Sequence, residues 1–282
     1  MIRIEGLTKT FGTFTAVDHL DLTIETGEFF GLLGPNGAGK TTTIGMLSTV
    51  LLPTSGEIFL DGEKLTRRTV KQMKKISVIT QEYSMRADMT MDEVMEYQGR
   101  LYYLPRKVIR ERTEQLLEFA GLTDHRRKSV RHLSGGMKRK LMICRALLTE
   151  PEILLLDEPT AGMDALARRQ MWNLLRQLNG RSMTILLTTH YIEEAQNLCH
   201  RVALMDRGKL AKIGTPQALI EQLGAYAVDT TGEETVQSRY FHDRSEAIRA
   251  LEELGEGAGM RATTLEDVFI EVAGAHVKGK MQ

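Results

Sequence analysis

The chain alternates short apolar runs with amphipathic stretches along most of its length. Residues 2–8 and 20–24 alternate apolar and polar positions, which is typical of half-buried strands. Continuous apolar or β-branched runs predict fully buried strands at Phe29–Leu33, Ile76–Thr80, Ile153–Leu156, Thr184–Thr188 and Val202–Met205. Helical patterns cover 164–179 and 191–199 between the later runs. Strands that alternate with helices predict a parallel α/β sheet.

Two segments depart from this alternation. From Met91 to about Leu122 the pattern is helical, which predicts a helical subdomain inserted over about 86–150. Of the 37 acidic and 37 basic residues, 12 acidic and 6 basic residues lie in 217–282, so that this segment carries −6 and the remainder +6. We therefore divide the chain into a principal domain over 1–216 and a C-terminal accessory module over 217–282. In the module we expect two short strands and two helices.

Length and composition restrict the class of protein. A chain of 282 residues corresponds to about 1.9 average domains. Hydrophobic residues make up 42% and charged residues 26%, which is typical of a globular chain and excludes a disordered or fibrous one. The balanced charge excludes a global field that recruits nucleic acid. Cys144 and Cys199 stand in apolar segments, which predicts buried thiols, and every apolar run is shorter than the ~18 residues of a spanning helix.

A glycine-rich loop carries the strongest chemical signal. Residues 34–41 fit G-x-x-x-x-G-K-[ST] between a predicted buried strand and a helix, a pattern whose backbone N–H groups hold phosphate oxygens. Lys40 would reach the β- and γ-phosphates, and Thr41 would reach Mg²⁺. Glycine at 34, 37 and 39 would let the backbone approach the phosphates without an intervening Cβ. The residues expected at the nucleotide are Gly34, Pro35, Asn36, Gly37, Ala38, Gly39, Lys40, Thr41 and Thr42.

Two carboxylates follow the buried run at Ile153–Leu156. Asp157 and Glu158 stand at the carboxyl end of this predicted strand, where open α/β sheets bind ligands. Asp157 suits the second coordination sphere of a metal ion, and Glu158, which points the other way, suits the polarisation of an attacking water. For either residue taken alone, capping of the turn before Pro159 is an alternative.

A second helix start stands at Ser134-Gly135-Gly136. Ser134 suits the N-cap, the two glycines leave backbone N–H groups unobstructed, and the helix is predicted to continue to Leu148. Such a helix N-terminus is a potential anion site. Taken alone, this tripeptide is more often a simple cap.

Together and in this order, the motifs resemble the nucleotide-binding subunits of ATP-binding cassette (ABC) transporters over about residues 2–216. GPNGAGKTT resembles the Walker A motif of that family, LSGGMKRK its signature sequence, ILLLDEPT its Walker B motif, and AGMD its D-loop, which ends in Asp164. The implied fold class is α/β: a P-loop NTPase core with a parallel sheet, an antiparallel β-subdomain, an inserted α-helical subdomain and a small α+β C-terminal module.

The resemblance also implies roles that the pattern alone leaves open. Glu158 becomes the catalytic glutamate, and His190, just past a predicted strand, holds the γ-phosphate and the water. Gln81 becomes the Q-loop glutamine, whose amide oxygen coordinates Mg²⁺ or the water. Phe11 stands where the family has an aromatic that stacks on adenine, usually tyrosine; a bare phenylalanine near a strand end is more often core. The implied ligands are ATP and Mg²⁺.

Members of this family sandwich each ATP between two chains arranged head to tail. The resemblance therefore implies that Gly34–Thr42 of one subunit faces Ser134–Gly136 and Asp164 of a second ATPase subunit, which is expected to be identical. It also implies a separate transmembrane permease subunit, reached through Glu82–Asp88, and a location at the cytoplasmic face of the cell membrane. Nucleic acid is not an expected partner.

The signature sequence points to one branch of the family. Met137, followed by Lys138-Arg139, stands where many importers have glutamine. This form of the signature sequence is similar to that of exporters of drugs, lipids or polysaccharides. An importer subunit stays open as an alternative. A soluble ABC ATPase that acts as a switch on DNA or ribosomes is the alternative from another class. Such relatives need a long coiled coil or two cassettes in one chain, and this sequence has neither.

Overall fold

The computed structural model describes residues 1–231, 236–255 and 257–278. Its strands, in chain order, are β1 (Ile2–Phe11), β2 (Phe14–Ile24), β3 (Phe29–Leu33), β4 (Ser55–Leu60), β5 (Glu63–Lys64), β6 (Ile76–Ile79), β7 (Ile153–Asp157), β8 (Thr184–Thr189), β9 (Arg201–Asp206), β10 (Lys209–Gly214), β11 (Tyr226–Thr231), β12 (Val236–Phe241) and β13 (Ala258–Ala262). Its α-helices are α1 (Lys40–Leu47), α2 (Val70–Met73), α3 (Met91–Leu101), α4 (Arg106–Phe119), α5 (Gly135–Leu147), α6 (Ala165–Asn179), α7 (Ile192–Leu198), α8 (Pro216–Leu223), α9 (Arg244–Leu254) and α10 (Leu265–Lys278).

Six strands form the central sheet in the spatial order β10-β9-β3-β8-β7-β6. The pairs from β9 to β6 are parallel, and the edge pair β10–β9 is antiparallel. Every residue of β3, β7 and β8 is buried, because both faces of the sheet are covered. The predicted parallel α/β sheet is confirmed. Since β3, β8 and β7 are neighbours, the loops at their carboxyl ends meet at one edge.

The first strands form a separate antiparallel sheet in the order β2-β1-β4-β5. Their apolar side chains share a core with Phe30 and Leu32 of β3 and with Ile44 and Leu47 of α1. This packing holds β3 and α1 from one side, and it thereby fixes the ends of the loop between them.

Helices α3, α4 and α5 lie between β6 and β7 in the chain. The helical pattern from Met91 to about Leu122 corresponds to two helices in the structure. The break between them lies at Tyr103, which has a φ of +57°, and at Pro105, where α4 begins. Thr90 starts α3 with a capping box that it shares with Glu93. These helices share a core with β7 and β8, so that the helical subdomain is attached to the central sheet.

The C-terminal segment contains a three-stranded antiparallel sheet in the order β12-β11-β13. The expectation of two strands is wrong, because β13 has the sequence Ala-Gly-Met-Arg-Ala, which lacks the alternation typical of a strand. Helix α9 packs against this sheet, and α10 packs against α7, α8 and β9. Leu265 and Val268 of α10 are fully buried there.

Two further predictions concern membrane spans and cysteines. Within the residues that the structure describes, no helix combines the length and the apolarity needed to cross a bilayer. Both cysteines are free, buried thiols, as predicted. Burial raises the pKa of Cys144 to about 12 and also raises the pKa of Cys199, so that neither forms a reactive thiolate at neutral pH.

Candidate active site

The glycine-rich loop connects β3 to α1. A Cβ at Gly39, whose φ is +102°, would stand 2.4 Å from the carbonyl oxygen of Ala16, and a Cβ at Gly34 would stand 2.6 Å from that of Met205. Gly37 has a φ of +83°, and a Cβ built on it would have open space around it. Glycine is therefore required at 34 and 39 because a Cβ would collide with the chain's own backbone. At 37 the positive φ favours glycine, and the open space there agrees with the expected clearance for phosphates.

Lys40 begins α1 and turns its side chain over the loop. Its Nζ donates hydrogen bonds to the carbonyl oxygens of Gly34 at 2.7 Å and Pro35 at 3.1 Å. Burial lowers the pKa of Lys40, and the nearby carboxylates of Glu158 and Asp157 oppose this shift. The loop thus holds an ammonium group where it is expected to bind phosphates.

Asp157 ends β7 and is buried. Its Oδ1 accepts hydrogen bonds from the hydroxyl of Thr188 at 2.5 Å and from that of Thr41 at 3.2 Å. These bonds join the end of β7 to β8 and to the first turn of α1. The two hydroxyls and the carboxylate are hard oxygen donors of the kind that Mg²⁺ prefers.

Glu158 and His190 face each other at the ends of the adjacent strands β7 and β8. Glu158 Oε1 lies 3.0 Å from His190 Nδ1. The Glu158 side chain is 12% exposed and that of His190 is 41% exposed. Glu158 has a φ of +48°, a left-handed conformation that is strained for a residue with a Cβ. A carboxylate and an imidazole at this distance can hold or move a proton at the sheet edge.

A cavity of about 450 Å³ brings these groups together. Its walls include Gln81, Glu158 and His190, together with the loop and the start of α1. Of the nine loop residues predicted at the nucleotide, the walls contain Asn36, Gly37, Gly39, Lys40, Thr41 and Thr42. The other three hold the loop together through their main chain, since the carbonyl of Pro35 accepts a hydrogen bond from the N–H of Ala38 at 3.1 Å and that of Gly34 accepts from Lys40.

The aromatic wall of this cavity comes from the turn between β1 and β2. Phe11 and Phe14 are cross-strand partners, and both rings are exposed. Phe14 lines the cavity together with Ala16, whereas the ring of Phe11 lies 5.0 Å from Lys9 Nζ. The sequence pointed to Phe11, whereas in the structure Phe14 lines the cavity, because the two-residue turn between these residues decides which ring borders it.

The remaining predicted residues form a second concavity of about 200 Å³. Its walls contain Ser134, Gly135, Gly136 and Asp164. The Ser134 Oγ accepts from the N–H of Met137 at 3.3 Å, so that Ser134 is the N-cap of α5 as predicted, and Asp164 caps α6 in the same way. The structure therefore places most of the expected site residues in two groups: one on the phosphate-loop cavity and one beside the start of α5. Of the residues expected outside the loop, Phe11 and Asp157 line neither concavity, although Asp157 is hydrogen-bonded to Thr41 of the first group.

The comparison with known proteins fits this arrangement of motifs. The sequence profile of the family described as ABC transporter matches residues 17–161, which contain the phosphate loop, Ser134 and Glu158. The chain belongs to the ABC transporter family. As a member, it is an ATP-binding subunit with ATPase activity.

Relatives of this ABC ATPase match along nearly the whole chain. The Nod factor export ATP-binding protein I of Cupriavidus metallidurans is 36% identical and covers 99% of each chain. The daunorubicin resistance ATP-binding protein DrrA3 of Streptomyces coeruleorubidus is 36% identical and covers 97% of this chain and 96% of its own. A solved ATP-binding cassette, a dimer in a post-hydrolysis state with ADP and Pi, is 26% identical with a TM-score of 0.69 and covers 76% of this ABC ATPase and 98% of its own chain.

One buried acid beside the active site of this ABC ATPase was missed by sequence reasoning. Glu194 of α7 is fully buried, and its Oε1 accepts hydrogen bonds from Thr160 Oγ1 at 2.9 Å and Trp172 Nε1 at 3.1 Å. Thr160 stands two residues after Glu158, so that Glu194 ties the turn after β7 to the helix after His190. An available signal was that Glu194 shares the buried face of α7 with Ala195 and Leu198.

Replacement of Glu194 by glutamine is expected to flatten the pH dependence of stability. Burial raises the pKa of Glu194 above its ordinary value of 4.5, so the carboxylate destabilises the fold as the pH rises from that value through the folded-state pKa. Glutamine accepts the same two hydrogen bonds without ionising. We therefore expect the unfolding temperature of Glu194→Gln, relative to that of the unmodified chain, to increase as the pH rises from about 5 to about 8. A constant difference in unfolding temperature between the two proteins over this pH range would contradict the assignment.

Proposed function

We propose that this ABC ATPase powers an exporter of a drug-like, lipid or polysaccharide cargo. Two relatives that match nearly its whole length are described as proteins of Nod factor export and daunorubicin resistance. The signature residues Met137, Lys138 and Arg139 favour the same branch. An importer ATPase subunit is the nearest alternative, and a soluble switch ATPase is the alternative from another class.

The proposed hydrolytic groups are Glu158, His190 and Gln81. Glu158 would accept the proton of the attacking water, and its contact with His190 at 3.0 Å orients the carboxylate towards the phosphate-loop cavity. His190 would donate hydrogen bonds to the γ-phosphate. Lys40 and the backbone of the loop would hold the β- and γ-phosphates on the opposite wall.

The residues at the end of β7 fit a magnesium ion that accompanies ATP. Thr41 and Gln81 would supply oxygen ligands, and Asp157 would act from the second coordination sphere through the hydroxyl of Thr41. When bound, Mg²⁺ neutralises the negative charge that develops on the phosphates. The part of the chain that the structure describes contains no cluster of three or more acidic, histidine or cysteine side chains arranged for a metal. A weakly liganded ion that keeps several waters and phosphate oxygens is consistent with this donor set.

The proposal that two chains share each ATP site rests on the separation of the two concavities. Ser134, Gly135, Gly136 and Asp164 line a different concavity from the phosphate loop. A second copy turned through a two-fold axis would bring the Ser134–Gly136 group of one chain onto the phosphate loop of the other, and it would form two equivalent sites. The dimeric state of the solved cassette supports this arrangement. Phe11 or Phe14 would then cover the adenine ring from the turn after β1.

A groove of about 580 Å³ supports the proposal that a separate permease subunit is the second partner of this chain. It runs between α1 and β6 on one side and α3 and α5 on the other, and its walls include the exposed side chains of Val50 and Tyr102. Thr41 and Asp157 also line the groove, so that its inner end reaches the proposed magnesium site. We assign the groove, with the neighbouring segment Glu82–Asp88, to a cytoplasmic segment of the permease. On this proposal the ATPase would lie at the cytoplasmic face of the membrane.

Replacement of Tyr102 by aspartate tests this assignment. The carboxylate would be desolvated against an apolar partner, so we expect co-purification with a co-expressed candidate permease from detergent-solubilised membranes to fall by about tenfold or more. Ile213→Asp is the matched control, because Ile213 is exposed on β10, at the opposite edge of the central sheet from β6. Equal retention of both variants would contradict the groove assignment. Failure of the unmodified chain to co-purify with any membrane protein would favour a soluble switch.

A further inference from the structure

Arg139 is a buried cation between the two proposed hydrolytic segments. It lies on α5, five residues after Ser134, and only 1% of its surface is exposed. Among the described residues, no carboxylate forms an ion pair with it. Its guanidinium instead donates to main-chain carbonyls: Nη1 to Thr80 at 2.6 Å, and Nη2 to Gln81 at 3.0 Å and to Glu158 at 3.5 Å.

Burying an arginine that forms no ion pair destabilises the fold, so stability alone does not explain why an arginine stands here. The desolvation of the charge is offset here by carbonyl dipoles, by the charges of the nearby carboxylates of Asp157 and Glu194, and by the ring of Tyr83, whose centroid lies 5.3 Å from the Arg139 Cζ. Nε of Arg139 is buried without a hydrogen-bond partner among the described residues. An apolar side chain of similar volume would avoid this cost. The position of the charge therefore requires an explanation other than packing.

The carbonyls that Arg139 contacts belong to segments that need support. Gln81 follows β6 in an irregular segment, and Glu158 has the strained φ of +48°. A left-handed residue with a Cβ persists only where its surroundings hold it. Arg139 and the N–H of Ala161, at 3.2 Å, both donate to the Glu158 carbonyl. The same guanidinium thus holds the backbone of both residues.

We propose that Arg139 is a positioning residue that sets the separation of Gln81 and Glu158 and links both to the signature helix α5. The inference rests on the proposed roles of Gln81 and Glu158 in hydrolysis. When the start of α5 meets the nucleotide of a partner subunit, Arg139 transmits the position of that helix to both residues. Arg145 of the same helix holds the next part of the segment, since it donates to the carbonyl of Ser84 at 2.7 Å.

Arg139→Met and Arg139→Lys test this proposal, with Arg145→Met as the matched control. Arg145 attaches the same segment to the same helix but contacts neither Gln81 nor Glu158. We expect Arg139→Met to lower kcat by a factor on the order of 10², because small displacements of reacting groups have effects of this size, and to leave ATP affinity within about twofold. Arg139→Lys keeps a charge that reaches one carbonyl and is expected to restore part of the rate, whereas Arg145→Met keeps kcat within about threefold.

Thermal unfolding separates a positioning role from a structural one. Arg139→Met removes a desolvated charge but also leaves the carbonyls that it contacted without this donor. These two effects on stability oppose each other, so the unfolding temperature is expected to change little while kcat falls. Equal losses of kcat and ATP affinity, or failure of both Arg139 variants to fold, would assign a structural role to Arg139 and overturn the proposal. A normal kcat in Arg139→Met would also overturn it, provided that Glu158→Gln is inactive. Normal hydrolysis in Glu158→Gln would instead overturn the proposed function.

Discussion

Glu158→Gln is expected to reduce ATP turnover by a factor on the order of 10² or more while ATP affinity stays nearly unchanged. The phosphates are held by the loop and Lys40, which this substitution does not touch. Glutamine keeps the size of the side chain but cannot accept the proton of the attacking water. Single-turnover hydrolysis and equilibrium binding of ATP measure the two quantities separately.

The same substitution is expected to trap the dimer. If hydrolysis reopens a pair of subunits that ATP has closed, Glu158→Gln should dimerise in ATP and remain dimeric, which size-exclusion chromatography with ATP would show. Glu193→Gln is the matched control, because Glu193 is exposed on α7 and lies close in sequence to His190. Turnover near that of the unmodified chain in Glu158→Gln would remove Glu158 from the role of base.

Lys40→Ala is expected to weaken ATP binding and turnover together. The substitution removes the ammonium group that faces the β- and γ-phosphates, and charge-assisted hydrogen bonds of this kind account for an expected loss of at least about tenfold in affinity. It also removes the donor that bonds the carbonyls of Gly34 and Pro35, so that the loop loses an internal support. Calorimetric titration with a slowly hydrolysed ATP analogue measures the affinity.

Lys107→Ala provides the control for the loss of a positive charge. The side chain of Lys107 is 81% exposed on α4 and pairs only loosely with Glu111, at 3.9 Å. Such surface pairs contribute little to stability. Affinity and rate in Lys107→Ala should therefore match those of the unmodified chain. If Lys40→Ala also bound ATP with full affinity, the phosphate-loop assignment would be wrong.

Local sequence patterns predicted the elements of the site better than their mutual positions. The buried strands β3, β7 and β8 could be predicted because a parallel sheet that is covered on both faces needs continuous apolar runs. Ser134 was readable as an N-cap because its partner, the N–H of Met137, is three residues away. The carboxylates at the end of β7 were placed by the strand that precedes them.

Long-range contacts account for what the sequence did not predict. Arg139 meets carbonyls 59 and 58 residues away in the chain, and no local pattern indicates such partners. Glu194 depends on Thr160 and Trp172 for its hydrogen bonds, which come from two other elements. Which of Phe11 and Phe14 lines the cavity depends on the geometry of one tight turn. The third strand of the C-terminal sheet is specified by pairing with β11 and not by its own residues.

Mixing two inactive variants tests the shared site most directly. In a mixed dimer of Ser134→Arg and Lys40→Ala, one composite site carries both changes and the other carries none, because each site takes its phosphate loop and its Ser134 from different chains. We predict that equilibrium sedimentation with ATP shows dimers in the mixture that neither pure variant forms. If the mixture dimerised no better than either parent, the head-to-tail arrangement would be contradicted, and a site built within one chain would replace it.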